Sequence, residues 1–112
     1  MVQGKVIMHR KTVETYWVKI YASGPIEIAK QIIRKDCLDE GLCVTIEPTL
    51  FIYTGGEEKG FVIGFVNYPR FPSNKKELLK RAKSIALKIL EETHQHSTLI
   101  MAPDKTIWIT KR

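Results

Sequence analysis

Cysteine is scarce in this sequence. Two thiols, Cys37 and Cys43, are too few for a disulfide framework, and their spacing matches no zinc motif. Both read as reduced structural thiols, Cys37 on the core side of a helix and Cys43 near a strand start. No apolar run approaches the ~18 residues of a membrane span. The opening stretch from Met1 to Lys11 has neither the apolar core nor the small-residue cleavage site of a signal peptide. A Walker-type phosphate loop and a Ser-centred nucleophile elbow are both missing. So are a basic tail of ~5 or more like charges, a low-complexity tract and an internal repeat. No linker separates domains. These absences leave a single domain over residues 1–112, expected in the cytoplasm, with no membrane contact, no resident cofactor and no metal.

What is present is enough for one packed core. Apolar residues make up 44% of the 112 positions, and a chain of this length buries roughly 65% of its unfolded surface. Eighteen Lys and Arg against twelve Asp and Glu give a net charge of +6. That excess favours anionic partners: nucleic acid, a nucleotide or an acidic protein surface.

Hydrophobic periodicity supplies the elements. The run from Thr15 to Tyr21 is aromatic and β-branched and reads as a strand, with Tyr16, Val18 and Ile20 on one face and Trp17, Lys19 and Tyr21 on the other. A helix follows Pro25, with Ser23 or Gly24 as its cap, apolar at Ile26, Ala29, Ile33 and Cys37, and stopped by Gly41. Leu42 to Glu47 alternates as a second strand. Pro48 interrupts it, which only an edge strand or a bulge tolerates, and Thr49 to Thr54 resumes. Gly55 to Gly60 reads as the turn, and Phe61 to Tyr68 as the returning strand, where Gly64 marks a bulge or a close backbone approach. Ser73 or Asn74 caps a second helix with an apolar stripe from Leu78 to Leu90, ending near His94 to His96. Thr98 to Ala102 and Thr106 to Thr110 are short strands about Pro103-Asp104-Lys105.

The order β-α-β-β-α-β predicts an α+β, ferredoxin-like sandwich. An antiparallel sheet carries both helices on one face, and an extra strand is added at the C-terminal end. Within it, the first and third strands are expected as central, parallel neighbours that enter their helices at the same end. Ser23, Gly24, Asn67, Tyr68 and Arg70 would then converge near two helix N-termini, where free N–H groups attract anions. Arg70, flanked by prolines and aromatics, would clamp a phosphate or stack on a base. The same residues also serve plainly as caps, turns and a solvated loop charge.

The sheet face away from the helices offers a second surface, with Trp17, Lys19, Tyr21 and Phe61 and with Trp108 as a further candidate. Its fates are stacking on unpaired bases, burial in a homodimer, or cover by another part of the chain. Lys76, Lys80 and Lys83, at helical spacing, would extend it for nucleic acid or simply form a solvated helix face.

Four resemblances bear on function. Lys59-Gly60-Phe61 resembles the opening of the third-strand signature of RNA-recognition motifs, which share the topology, although Val62-Ile63-Gly64 departs from its continuation. The segments Tyr21 to Glu27, Gly41 to Thr45, Tyr53 to Glu58 and Asn67 to Pro72 together resemble small uncharacterised proteins of tailed phages. That likeness implies an accessory protein acting against a host component, and it brings no catalytic residue. His96-Ser97-Thr98 is similar to one half of the paired motif of two-histidine phosphoesterases; the second half is missing. Ile20 to Pro25 resembles the nucleotide loop of nucleoside deoxyribosyltransferases.

The leading expectation is therefore a small, basic, non-enzymatic binding module, a homodimer, holding an anionic ligand or an acidic host protein, with no catalytic residue. The alternatives are a single-stranded nucleic-acid binder and a small phosphate-transforming enzyme.

Overall fold

The computed structural model describes residues 6–111. Strand β1, Trp17–Ser23, runs through the middle of the sheet. Helix α1, Ile26–Asp39, begins on Pro25, whose carbonyl accepts from the N–H groups of Ile28 and Ala29. Pro25 is thus the cap residue, and no side chain caps this helix, contrary to the expectation for Ser23 and Gly24. Gly24 serves the bend instead, at φ +114°. The helix ends at Glu40. Gly41 lies beyond it, under the ring of Phe71, which a Cβ there would meet at 2.9 Å.

Strands β2, Val44–Tyr53, and β3, Gly56–Val66, form one long hairpin. Its turn is only Thr54-Gly55, because Gly55 takes φ +94° and lets the chain reverse at once. The longer turn expected over 55–60 is therefore strand, with Glu57, Glu58 and Lys59 opposite Ile52, Phe51 and Leu50. Pro48 pairs with Phe61 without breaking β2, since β2 is an edge. Gly64 is not a bulge. It pairs regularly with Thr45 and Lys19, and the Thr45 hydroxyl occupies the space of a side chain.

Helix α2, Lys75–Thr93, is capped by Asn74, whose side chain accepts from the N–H of Glu77 at 2.8 Å. His94 closes it in the left-handed conformation. Strands β4, Ser97–Ala102, and β5, Lys105–Thr110, complete the sheet in the order β2-β3-β1-β4-β5. Both helices lie on one face, so the structure is the α+β ferredoxin-like sandwich with an added strand. Val18, Ile20, Phe61, Ile63, Phe65 and Ile100 are fully buried against Ala29 and Ile33 of α1 and the apolar stripe of α2. No helix among the described residues is long and apolar enough to cross a membrane.

One expectation about this fold fails, with consequences for the site. Strands β1 and β3 are antiparallel, in a register running from Trp17↔Val66 to Ser23↔Gly60. In this topology each β-α-β unit leaves a gap that a strand of the other unit fills in the opposite direction. Helices α1 and α2 therefore start at opposite ends of the sheet.

Candidate active site

The period of two along β1 sends Val18, Ile20 and Ala22 under the helices. It leaves Trp17, Lys19, Tyr21 and Ser23 on the open face. Register extends this face sideways: Tyr21 lies level with Val62 and then Glu47 on one side, and with Leu99 and then Trp108 on the other. At the Ser23 end of this face is a cleft of about 330 Å³, lined by Tyr21, Ser23, Phe51, Ser97, Leu99, Met101 and Trp108 together with Ala22 and Thr98.

Its construction depends on Gly60. A Cβ there would collide with the carbonyl of Ala22 and with the Phe51 ring, so the bare backbone lets Phe51 lean over β3 toward β1. Phe51 thus enters from the edge strand β2, and Trp108, 64% exposed, enters from the other edge strand, β5. Three aromatic side chains from three strands meet around one hollow, with the hydroxyls of Ser23 and Ser97 among them. The Thr98 hydroxyl is already engaged, donating to the Tyr21 carbonyl at 2.9 Å. Among the described residues, Tyr21 is the only titratable side chain in the lining. Such a site can grip a flat, weakly polar group and hydrogen-bond its rim. It holds no acid–base pair.

The expected convergence of Ser23, Gly24, Asn67, Tyr68 and Arg70 does not form. Ser23 and Gly24 stand by Gly60 and Thr93 at one end of the sheet. The other three stand at the opposite end. There Asn67 is consumed structurally: its amide donates to the Glu14 carbonyl and its oxygen accepts from the N–H of Ser73, both at 2.8 Å. Tyr68 and Phe71 close a tight turn with rings stacked at 6.2 Å, and the Arg70 guanidinium rests 5.6 Å from the Phe71 ring.

The nucleic-acid surface is also split. Phe61 faces the helices and is fully buried, so it presents no ring to a base. This removes the feature behind the likeness to RNA-recognition motifs. Trp17, Lys19 and Tyr21 do share the open face, with the Lys19 ammonium 5.7 Å over the Trp17 ring. Lys76, Lys80 and Lys83 line a separate furrow on α2, in the other layer. Among the described residues no group of three His, Cys, Asp or Glu side chains is placed to hold a metal ion. His94 and His96 are exposed beyond the end of α2.

Phe51, Ser97, Leu99 and Met101 escape the sequence reading. Carrying the alternation of Thr45 and Glu47 through Pro48 would have reached Phe51 on the same face. Leu99 and Met101 needed the register with β1.

No protein-family model matches the sequence, and no characterised protein matches it significantly by sequence alone. Two solved structures match the fold over nearly its whole length. A phage SAM (S-adenosylmethionine) lyase in complex with S-methyl-5′-thioadenosine superposes with a TM-score of 0.64 at 12% identity, covering 94% of this chain and 96% of that one. A phage SAM lyase in its apo state gives 0.62 at 12% identity, covering 96% and 98%. The similarity to phage proteins stands at the level of fold. It corrects the expectation of a non-enzymatic binding module, because both of these solved neighbours are structures of an enzyme. The molecule held by one of them is a nucleoside, without a phosphate.

Proposed function

We propose that this chain is a small enzyme that binds S-adenosylmethionine in the cleft at Tyr21, Phe51 and Trp108 and splits it, releasing methylthioadenosine. The observation that carries the proposal is the aromatic, hydroxyl-rimmed cleft on a fold shared with phage SAM lyases. An adenine presents a π-face to stack on Phe51 or Trp108, and a sulfonium is drawn to ring faces as other cations are. Ser23 and Ser97 offer hydroxyls to the ribose rim.

The lining also suits the chemistry. When the bond between the sulfonium and the amino-acid chain breaks, its electron pair stays on sulfur, which leaves as a neutral thioether. The carbon end is satisfied by the substrate's own carboxylate, closing a five-membered lactone without an external base. A positive and a negative charge disappear together, so a lining less polar than water favours the step. A cleft without an acid–base pair is adequate for that reaction, whereas hydrolysis of a phosphate ester would need more. The net charge of +6 then has no part in recognising the substrate. Action in the cytoplasm of a bacterial host fits this reading, since the substrate is the common methyl donor there.

Incubation with S-adenosylmethionine, followed by chromatography and mass detection, should show methylthioadenosine accumulating with time. Trp108→Ala should raise KM about 5-fold or more, the lower end of the ~1–3 kcal/mol that a base–aromatic stack provides. Absence of turnover, together with no thermal shift from substrate or product at millimolar concentration, would remove the proposal.

A further inference from the structure

Helix α2 carries basic residues on two sides, and among the described residues only one side is engaged in ion pairs. Toward α1, Arg81 and Lys88 both reach Asp36, at 2.8 and 3.7 Å. On the other side, Lys75, Lys76, Lys80 and Lys83 line a furrow of about 480 Å³ that is bounded by Tyr16 and joined by Lys105 from the start of β5. The furrow adjoins a second hollow of about 390 Å³ that shares Tyr16, Lys75 and Lys76 and reaches Ser73 at the foot of the helix. Among the described residues, none of these five ammonium groups has an ion-pair partner within 4.0 Å. Among the described residues, Asp104 and Glu14 are the only carboxylates along the two hollows. The positive N-terminal end of α2 lies at the same place, since Lys75 is its first residue.

We propose that this furrow is a binding surface for the phosphodiester backbone of nucleic acid, separate from the cleft and in the opposite layer of the molecule. Five unpaired like charges side by side repel one another, and a polyanion relieves that repulsion. From Lys75 to Lys83 the helix advances about 12 Å. At ~3.4 Å of axis per nucleotide, that length passes three or four phosphates of one strand, in keeping with four lysines strung along it. A single small anion would use only part of the row. The one aromatic side chain in the furrow, Tyr16, is buried to 4% exposure and sits beneath the Lys75 ammonium at 5.6 Å. It offers no ring for a base, so the contact is to backbone and indifferent to sequence.

The test is fluorescence anisotropy with labelled single strands of DNA and RNA, about 20 nucleotides long, and with a duplex, between about 50 and 300 mM NaCl. Four or five phosphate contacts at about 0.7 each predict a slope of log affinity against log salt near −3 for single strands. Lys80→Gln with Lys83→Gln should flatten it by about 1.4 and weaken binding at every sequence. Lys30→Gln with Lys35→Gln on α1, an equal loss of charge, should leave slope and affinity unchanged. Lys35, Lys80 and Lys83 are exposed, and half-buried Lys30 holds only an ion pair with Glu27 one turn away, so thermal melts of the variants should stay close to the parent. Three results would overturn the proposal: no binding at the lowest salt, equal weakening by both double variants, or vesicles rich in phosphatidylserine bound through these lysines while oligonucleotides are not. None of these measurements involves S-adenosylmethionine, so they stand or fall apart from the lyase activity.

Discussion

At Gly24 two constraints coincide. Its φ of +114° is one that residues with a side chain rarely adopt, and a Cβ would approach the Cβ of Thr93 at 3.2 Å. Gly55 has a similar φ, +94°, but nothing lies within 4 Å of the position its Cβ would take. Gly55→Ala should therefore register backbone strain alone, about 1–2 kcal/mol. Gly24→Ala should register that strain plus the displacement of Thr93, where α1 begins against the end of α2. Urea denaturation of both variants separates the two contributions. Equal midpoints would mean that α2 yields to the added methyl at no cost. At Gly60 the need is for space alone, with no positive φ, and there bare backbone admits the Phe51 ring to the cleft. A glycine is thus part of a site that it does not chemically serve.

Between elements, the polar connection of the two helices rests on Arg81. Its guanidinium donates to the Asp36 carboxylate at 2.8 Å and to the carbonyl of Gly41 at 3.3 Å, with the Glu40 carbonyl at 3.5 Å. One side chain of α2 thereby neutralises the carbonyl-rich end of α1, which carries no basic residue in its own last turn. Both partners of the pair are largely screened from water, with side chains 17% and 19% exposed, so the bond is not an ordinary surface pair. Arg81→Ala should cost about 2 kcal/mol, the scale of a charge-assisted hydrogen bond that leaves its acceptor behind. Lys88→Ala, on the same carboxylate but 55% exposed and 3.7 Å away, should change stability by less than about 0.5 kcal/mol. Equilibrium denaturation of the two variants is the comparison. A similar small loss in both would demote Arg81 to a surface contact.

For the molecule as a whole, stability should fall as the solution becomes alkaline. Burial raises the Cys37 thiol above its ordinary value, Asp36 adds to the rise, and Arg81 opposes it. Burial, and then Asp104, raise the Tyr16 hydroxyl in the same way. A group whose pKa is raised by folding contributes stability that is complete below its unfolded value and is lost as pH climbs through its folded one. With unfolded values of about 8.5 for Cys and 10 for Tyr, the loss should begin above about pH 8.5 and continue past 10. Thermal melts from neutral pH upward should show it, and Cys37→Ala should remove the earlier part. A flat profile for the parent would mean that neither proton is linked to folding. The proposed substrate cleft and the proposed nucleic-acid furrow belong to this scale too, since they occupy opposite layers and the sheet lies between them.

The elements themselves were readable in the sequence. Periods of two and of 3.6 are properties of neighbouring residues, and they place Val18 and Ile20 inward, Tyr21 outward, and Leu78 to Leu90 on a buried stripe. Pro48 marked an edge because a proline lacks the donor that a central strand needs. The two-layer fold followed from their order. Strand direction was not local information. Whether β1 and β3 run together or opposed depends on which strand fills the gap in each β-α-β unit, and that choice separated Gly24 from Arg70 by the length of the sheet. Nor was the sidewise register, which alone brings Phe51, Tyr21, Leu99 and Trp108 from four strands to one cleft. The chain's own sequence determined which residues face water and which face the core; pairing between segments remote in that sequence decided which of the outward ones meet.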